Sequence, residues 1–138
     1  AIPYARGGNN HMGSRFTADL DGMRAALAAM KEYDETLFFL DSRTTVRTAA
    51  AQAATEQGVV FLQRDVFLDN EDNRAAILKA IEAGKDIARS RGYAVMIGHV
   101  WSQELADIIM DVYPDLLEDG FALETLSELA AFLAAKDG

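Results

Sequence analysis

The chain has 138 residues, half of them hydrophobic and a quarter charged, with two prolines and no cysteine. That is enough for one domain with a sizeable core, and the apolar content argues against a disordered chain. A formal net charge of -9 is the wrong sign for a phosphate backbone, so nucleic acid is not an expected partner.

The absence of cysteine removes disulfides, thiolate metal sites and cysteine nucleophiles. Ala1 to Arg6 lacks the long apolar run of a signal peptide, and no later run approaches the ~18–20 residues needed to span a bilayer. The first distinctive stretch is Gly7-Gly8-Asn9-Asn10-His11-Met12-Gly13-Ser14-Arg15. Glycine and asparagine tolerate left-handed backbone, so this polar stretch reads as a loop, either a site or an elaborate turn. Thr17 is placed to cap the helix that follows, with Asp19 and Asp21 near its positive end. Leu20, Met23, Leu27 and Met30 recur at helical spacing and form its apolar stripe.

Leu37-Phe38-Phe39-Leu40 is a short apolar run, as expected of a strand buried on both faces, and it ends in Asp41-Ser42-Arg43-Thr44-Thr45. An alanine-rich helix from about Val46 to Gln57 presents a smooth face to a sheet, with Gly58 as its C-terminal cap. Val59 to Leu62 is the second strand, followed by Arg64-Asp65. A loop from Val66 to Asp72 leads into a long helix bearing Ile77, Leu78, Ile81 and Ile87, which Gly92 stops. Within that loop, Asp69-Asn70-Glu71-Asp72-Asn73 lacks the alternating ligands and distal glutamate of a calcium loop and reads as a solvated turn and cap. Tyr93 to Ile97 is the third strand, ending in Gly98-His99. Ser102 caps a helix with the stripe Leu105, Ile108, Ile109 and Val112, with Pro114 beyond its end. Phe121 to Leu123 reads as a last strand, and Thr125 with Glu128 as the capping box of a final helix with Leu129, Phe132 and Leu133 inward.

Strands alternating with helices imply an α/β domain with parallel strands, here a single domain over residues 1–138. What is missing is a convincing strand ahead of the first loop, so the loop is expected to hang from a strand farther upstream. Ligands of parallel α/β folds gather where the carboxyl ends of the strands meet the loops. That rule collects Asp41, Ser42, Arg43, Arg64, Asp65 and His99, together with His11 from the opening loop. The residues alone leave other readings open. Asp41 also suits a helix cap, Arg64 and Asp65 an exposed ion pair, and a lone histidine a bond to a backbone carbonyl. Trp101 suits either stacking on a sugar or packing within its own loop.

The blocks Asn9-Asn10-His11-Met12-Gly13-Ser14-Arg15, Phe39-Leu40-Asp41-Ser42-Arg43-Thr44, Arg64-Asp65-Val66-Phe67-Leu68-Asp69 and Ile97-Gly98-His99, in this order, closely resemble the divergent polysaccharide deacetylase family. That family is a branch of the deformed βα-barrel carbohydrate deacetylases. The resemblance implies a metal-dependent hydrolase that removes acetyl groups from a carbohydrate, using a divalent ion, usually zinc. It makes His11 similar to a metal ligand and His99 to the general acid. Asp41, Arg43, Arg64 and Asp65 resemble the residues that orient and tune them, with Asp65 the acidic neighbour expected to favour protonated His99. It also suggests a cell-envelope or periplasmic location.

Two motifs of the family, an Asp-Asp strand end and a segment with His and Glu, have no match here, and His11 and His99 are the only histidines. A complete barrel takes about 200 residues or more. The chain is therefore expected to be the C-terminal part of a deformed barrel, completed by a missing N-terminal segment or a second copy of itself. A non-catalytic envelope module binding glycan or protein on the same fold is the alternative. A generic phosphate-binding domain is disfavoured, since neither a G-x-G-x-x-G nor a P-loop pattern occurs.

Overall fold

The chain combines parallel strands with helices in a computed structural model that describes residues 3–136. The order is β1 (Gly7–Asn9), α1 (Ser14–Thr17), α2 (Leu20–Tyr33), β2 (Phe38–Asp41), α3 (Ala50–Gln57), β3 (Val60–Gln63), β4 (Val66–Phe67), α4 (Arg74–Arg91), β5 (Met96–Ile97), α5 (Gln103–Glu118) and α6 (Leu126–Lys136). They form two compact units, one holding residues up to Gln63 and from Glu124 onward, the other Arg64–Leu123. No described helix is long and apolar enough to cross a membrane.

The first unit is built on a parallel sheet in the order β1-β2-β3, in which Gly7 pairs with Phe38, Phe38 with Val60, and Asp41 with Gln63. All four residues of β2 are buried, as a central strand requires. Met23 and Leu27 of α2 pack with Phe39, Val59 and the alanines Ala50, Ala53 and Ala54 of α3. Small side chains on α3 are what let the two helices and the sheet approach closely. α6 lies against β3, and its capping box forms as expected: Thr125 donates its N–H to Glu128 at 2.8 Å, and Glu128 N–H reaches Thr125 Oγ1 at 3.3 Å.

The second unit pairs β4 with β5 in parallel, Val66 opposite Met96 and Phe67 opposite Ile97. α4 and α5 cover the pair, burying Leu68, Ile77, Ile81, Leu105, Ile108 and Leu116. Asn73 caps α4 by accepting from Ala76 N–H at 3.0 Å, and Ser102 caps α5 by accepting from Leu105 N–H at 3.1 Å. Gly84 and Gly98 are close-approach positions: a Cβ there would lie 2.2 Å from Met96 Sδ and from Leu105 Cδ2 respectively.

Several expectations need correcting. The strand placed upstream of the first loop is inside it, as β1. It escaped notice because it has no apolar side chain. A Cβ on Gly7 would fall 2.6 Å from the Phe38 ring, so the neighbouring strand fills the space that a side chain would occupy. Thr17 ends α1 instead of capping α2, whose N-cap is Asp19. The alanine-rich helix starts at Ala50 and leaves Val46 exposed. Part of the expected loop after Asp65 is β4, and Tyr93 to Val95 precede β5 instead of belonging to it. Pro114 lies inside α5, where it removes one backbone hydrogen bond. Residues 121–123 form no strand; Phe121 instead lies beneath the Lys85 and Arg89 side chains. On α6, Ala130 is buried while Phe132 is exposed.

Candidate functional site

In the first unit the rim is formed by the loop after β1 and the loop after β2. Asn10 is the hub joining them. Its Nδ2 donates to Asp41 Oδ1 at 2.8 Å and to Thr17 Oγ1 at 3.2 Å, and its Oδ1 accepts from Ser42 N–H at 2.6 Å. Asp41 is fully buried and accepts further hydrogen bonds from Arg43 N–H (2.8 Å, Oδ1) and Thr48 Oγ1 (2.7 Å, Oδ2). Thr17, also fully buried, donates to Gly13 O at 2.9 Å, while its own carbonyl accepts from Ala49 N–H at 2.7 Å. Burying a carboxylate is costly unless donors surround it, and here they do. No buried side-chain nitrogen or oxygen among the described residues lacks a partner.

Farther out, Ser14 Oγ meets Thr44 O and Oγ1, both at 3.2 Å, and Thr44 Oγ1 reaches Met12 O at 3.1 Å. These bonds hold Met12 (φ 56°) and Arg43 (φ 49°) in the left-handed region, which costs a non-glycine residue about 1–2 kcal/mol. Strain of this kind persists only where the surroundings over-determine it, and it concentrates at functional sites. The network presents His11, Arg15 and Arg43 as exposed side chains on one pair of loops.

Three carboxylate or imidazole donors are the minimum for an open catalytic metal site. Among the described residues no three His, Asp or Glu side chains are grouped so that they could hold an ion. Asp41 has both oxygens engaged by Asn10, Arg43 and Thr48, which makes it a strut for the loops. The described residues do not by themselves fit a complete metal centre. His11 offers a single exposed imidazole.

In the second unit the rim is organised by Asp69 and His99, which follow the ends of β4 and β5. The Asp69 side chain is fully buried and lies against a His99 side chain that is 36% exposed. Asp69 Oδ2 accepts from His99 N–H at 2.9 Å, and both carboxylate oxygens lie 3.1 Å from His99 Nδ1. A carboxylate gripping both the backbone and one ring nitrogen fixes the imidazole and leaves Nε2 on the far side of the ring. The ring is held between aromatic neighbours: Trp101 stacks on it at 4.5 Å and 22°, and Phe67 is tilted at 5.2 Å. The adjacent Ser102 hydroxyl donates to Asp72 at 2.6 Å, tying the two loops together again.

This corrects the expected pairing of Asp65 with His99. Asp65 sits just before β4, at its amino end, and there holds the Arg91 guanidinium and Val95 N–H, the latter at 2.8 Å. The insertion of β4 carries the chain along one more strand before it reaches the rim, so Asp69 meets the histidine. Arg64 lies over the Phe67 ring at 5.3 Å. Asp69 was hidden in an acidic run that resembled an ordinary solvated turn. The usable signal was its place directly after the apolar residues Val66-Phe67-Leu68, themselves a short strand and its end.

The comparisons with known proteins agree with this architecture. A family model described as divergent polysaccharide deacetylase matches residues 1–130. The chain is 39% identical over 118 residues to the uncharacterized protein YibQ of Escherichia coli, covering 83% of this chain and 36% of that protein. It is 44% identical over 95 residues to an uncharacterized protein of Haemophilus influenzae, covering 69% of this chain and 33% of that one. The chain thus spans about a third of the length of these relatives. The crystal structure of the uncharacterized protein ATU2773 from Agrobacterium tumefaciens shares the fold, with a TM-score of 0.83 at 23% identity, over 90% of this chain and 49% of that one. By its match over nearly the whole sequence, the chain belongs to the divergent polysaccharide deacetylase family.

Proposed function

We propose that this chain carries the proton-transfer part of a metal-dependent carbohydrate deacetylase. The observation that supports it most is the Asp69–His99 couple, a half-exposed imidazole oriented by a buried carboxylate. Hydrolysis of an acetamide joins a water oxygen to the carbonyl carbon and breaks the carbon–nitrogen bond, and the departing amine needs a proton. His99 Nε2–H supplies that proton, and Asp69 keeps the ring aimed while it does so. Asp41, through Asn10, holds the loop that presents His11. Arg43 lies on the rim formed by that loop, Arg64 backs the Phe67 ring beside His99, and Asp65 anchors the approach to β5.

In this reading a divalent ion, zinc by family resemblance, would polarise the acetyl carbonyl when bound, with His11 as one ligand. The other ligands would come from a polypeptide segment outside this chain or from a second copy. A cell-envelope location accompanies this reading and is checked by fractionation. The direct test is acetate release from an acetylated oligosaccharide by the longer polypeptide, with and without chelator. His99→Ala should abolish turnover while metal content stays unchanged, and His11→Ala should lower metal content. Full activity in both variants overturns the assignment.

One observation favours a second reading, a glycan-binding module without catalysis: Trp101 is exposed beside His99. Chelator-insensitive glycan binding with no acetate release from the longer polypeptide would establish that reading instead.

A further inference from the structure

Trp101 is the only tryptophan in the sequence, and it lies directly after the strand end that carries His99. A large aromatic side chain usually buries most of its surface. This one is 68% exposed, next to a Val100 that is wholly exposed, so packing within its own loop covers only part of it. One face of the indole stacks on the imidazole at 4.5 Å with the planes 22° apart. That contact holds the ring roughly parallel to the imidazole, and the exposed area lies on the rest of it. The imidazole in turn is fixed by Asp69 through both ring and backbone. The indole therefore has a rigid support on one side and solvent on the other.

We infer that Trp101 is the stacking platform for a sugar ring next to the one that reacts at His99. An aromatic face carries negative charge density, and the axial C–H bonds of a pyranose carry a slight positive charge, so the two stack face to face. The geometry also sets which sugar is held. A pyranose on the outer face of the indole lies one ring thickness farther from the imidazole than the indole itself. It is too far for its own acetamide to reach Nε2, whereas the next unit of a glycan chain is not bound by that limit. The platform thus makes the site selective for oligosaccharides over single sugars. This inference rests on the reading of His99 as the proton donor.

The test uses two properties together. Because Trp101 is the sole indole, its fluorescence reports its own surroundings. Titration with a β-linked tetramer of an N-acetylated hexosamine, in the presence of chelator, should give a saturable emission change, and the monosaccharide should give little. By calorimetry, Trp101→Ala should weaken tetramer binding ~3- to 10-fold, with Trp101→Phe between the two. As an exposed residue it can be replaced without unfolding the protein, which circular dichroism checks. In the longer polypeptide, Trp101→Ala should raise KM for the tetramer by a larger factor than it lowers the monosaccharide rate. Tetramer binding that leaves the emission unchanged, or equal tetramer affinity in Trp101→Ala, overturns the platform. Acetate release with that result leaves the deacetylase reading standing. Trp101-dependent binding without acetate release keeps glycan stacking on Trp101 but overturns the deacetylase reading, and with it the placement beside a reacting sugar.

Discussion

Asp69 grips His99 twice, once at the backbone N–H (2.9 Å) and once at ring Nδ1 (3.1 Å from each oxygen). The two residues follow the ends of adjacent parallel strands, so the couple also staples the β4 and β5 ends together. Removing the carboxylate leaves a backbone N–H and a ring nitrogen short of a partner. Asp69→Ala should therefore lower stability by about 1–3 kcal/mol in denaturant unfolding. A midpoint equal to that of the native chain would show that the couple contributes no net stability.

The Asn10–Asp41 hydrogen bond plays the matching role in the first unit. Asp41→Ala orphans donors from Asn10, Arg43 and Thr48, and should cost about 1–3 kcal/mol. Asn10→Ala should cost less overall yet loosen residues 9–15, with Met12 leaving its left-handed conformation. Amide hydrogen exchange resolves the two cases: faster exchange confined to the two loops is expected for Asn10→Ala. Unchanged exchange there would mean the hub does not hold the loop.

β1 depends on glycine at position 7, since a Cβ would meet the Phe38 ring at 2.6 Å. Gly7→Ala should destabilise by about 1–3 kcal/mol, as overpacked cores do. Shrinking the neighbour with Phe38→Leu should make the added methyl less costly than it is alone. A thermal-melt double-mutant cycle reads this coupling, and purely additive effects would contradict the packing account.

Arg24 holds Glu56 through Nε at 2.5 Å and Nη2 at 3.0 Å, joining α2 to α3. These bonds, with a further one from Gln52, lower the Glu56 carboxyl from 4.5 to about 2. Because the folded value is lowered, the stabilisation is present above 4.5 and is lost as pH falls towards 2. A carboxyl carbon titration should show a midpoint near 2 in the native chain, moving up towards 4.5 in Arg24→Ala. Both groups are solvent-exposed, so added salt should bring the native midpoint upward as well. A native midpoint at 4.5 in low salt would show that the pair is not formed in solution.

Much of this molecule was legible in the residues, and what was not has physical reasons. The stripe from Leu20 to Met30, the apolar run ending at Leu40 and the Ser102 and Thr125 caps announced their elements, because each depends on local spacing. β1 was illegible because its place in the sheet is secured by what Phe38 fills, not by its own side chains. Residues 121–123 looked like a strand because an apolar triplet has no period, and Phe121 finds its place under two cationic side chains instead. Of the candidate residues, Asp41 and His99 were visible as polar residues after apolar runs, and His11 as the imidazole of a polar loop. The partnership of Asp69 with His99 was not, since it depends on a two-residue strand pairing that sequence spacing does not register.

The most direct test of the central claim is the rate of acetate release by the longer polypeptide, native against Asp69→Asn. An asparagine keeps the shape and can still accept from His99 N–H, but it no longer presents a carboxylate to Nδ1. The account predicts a fall in kcat/KM of about 10²-fold or more, with metal content unchanged. A variant that keeps the native rate would contradict the assignment of Asp69 and His99 as the proton-transfer couple.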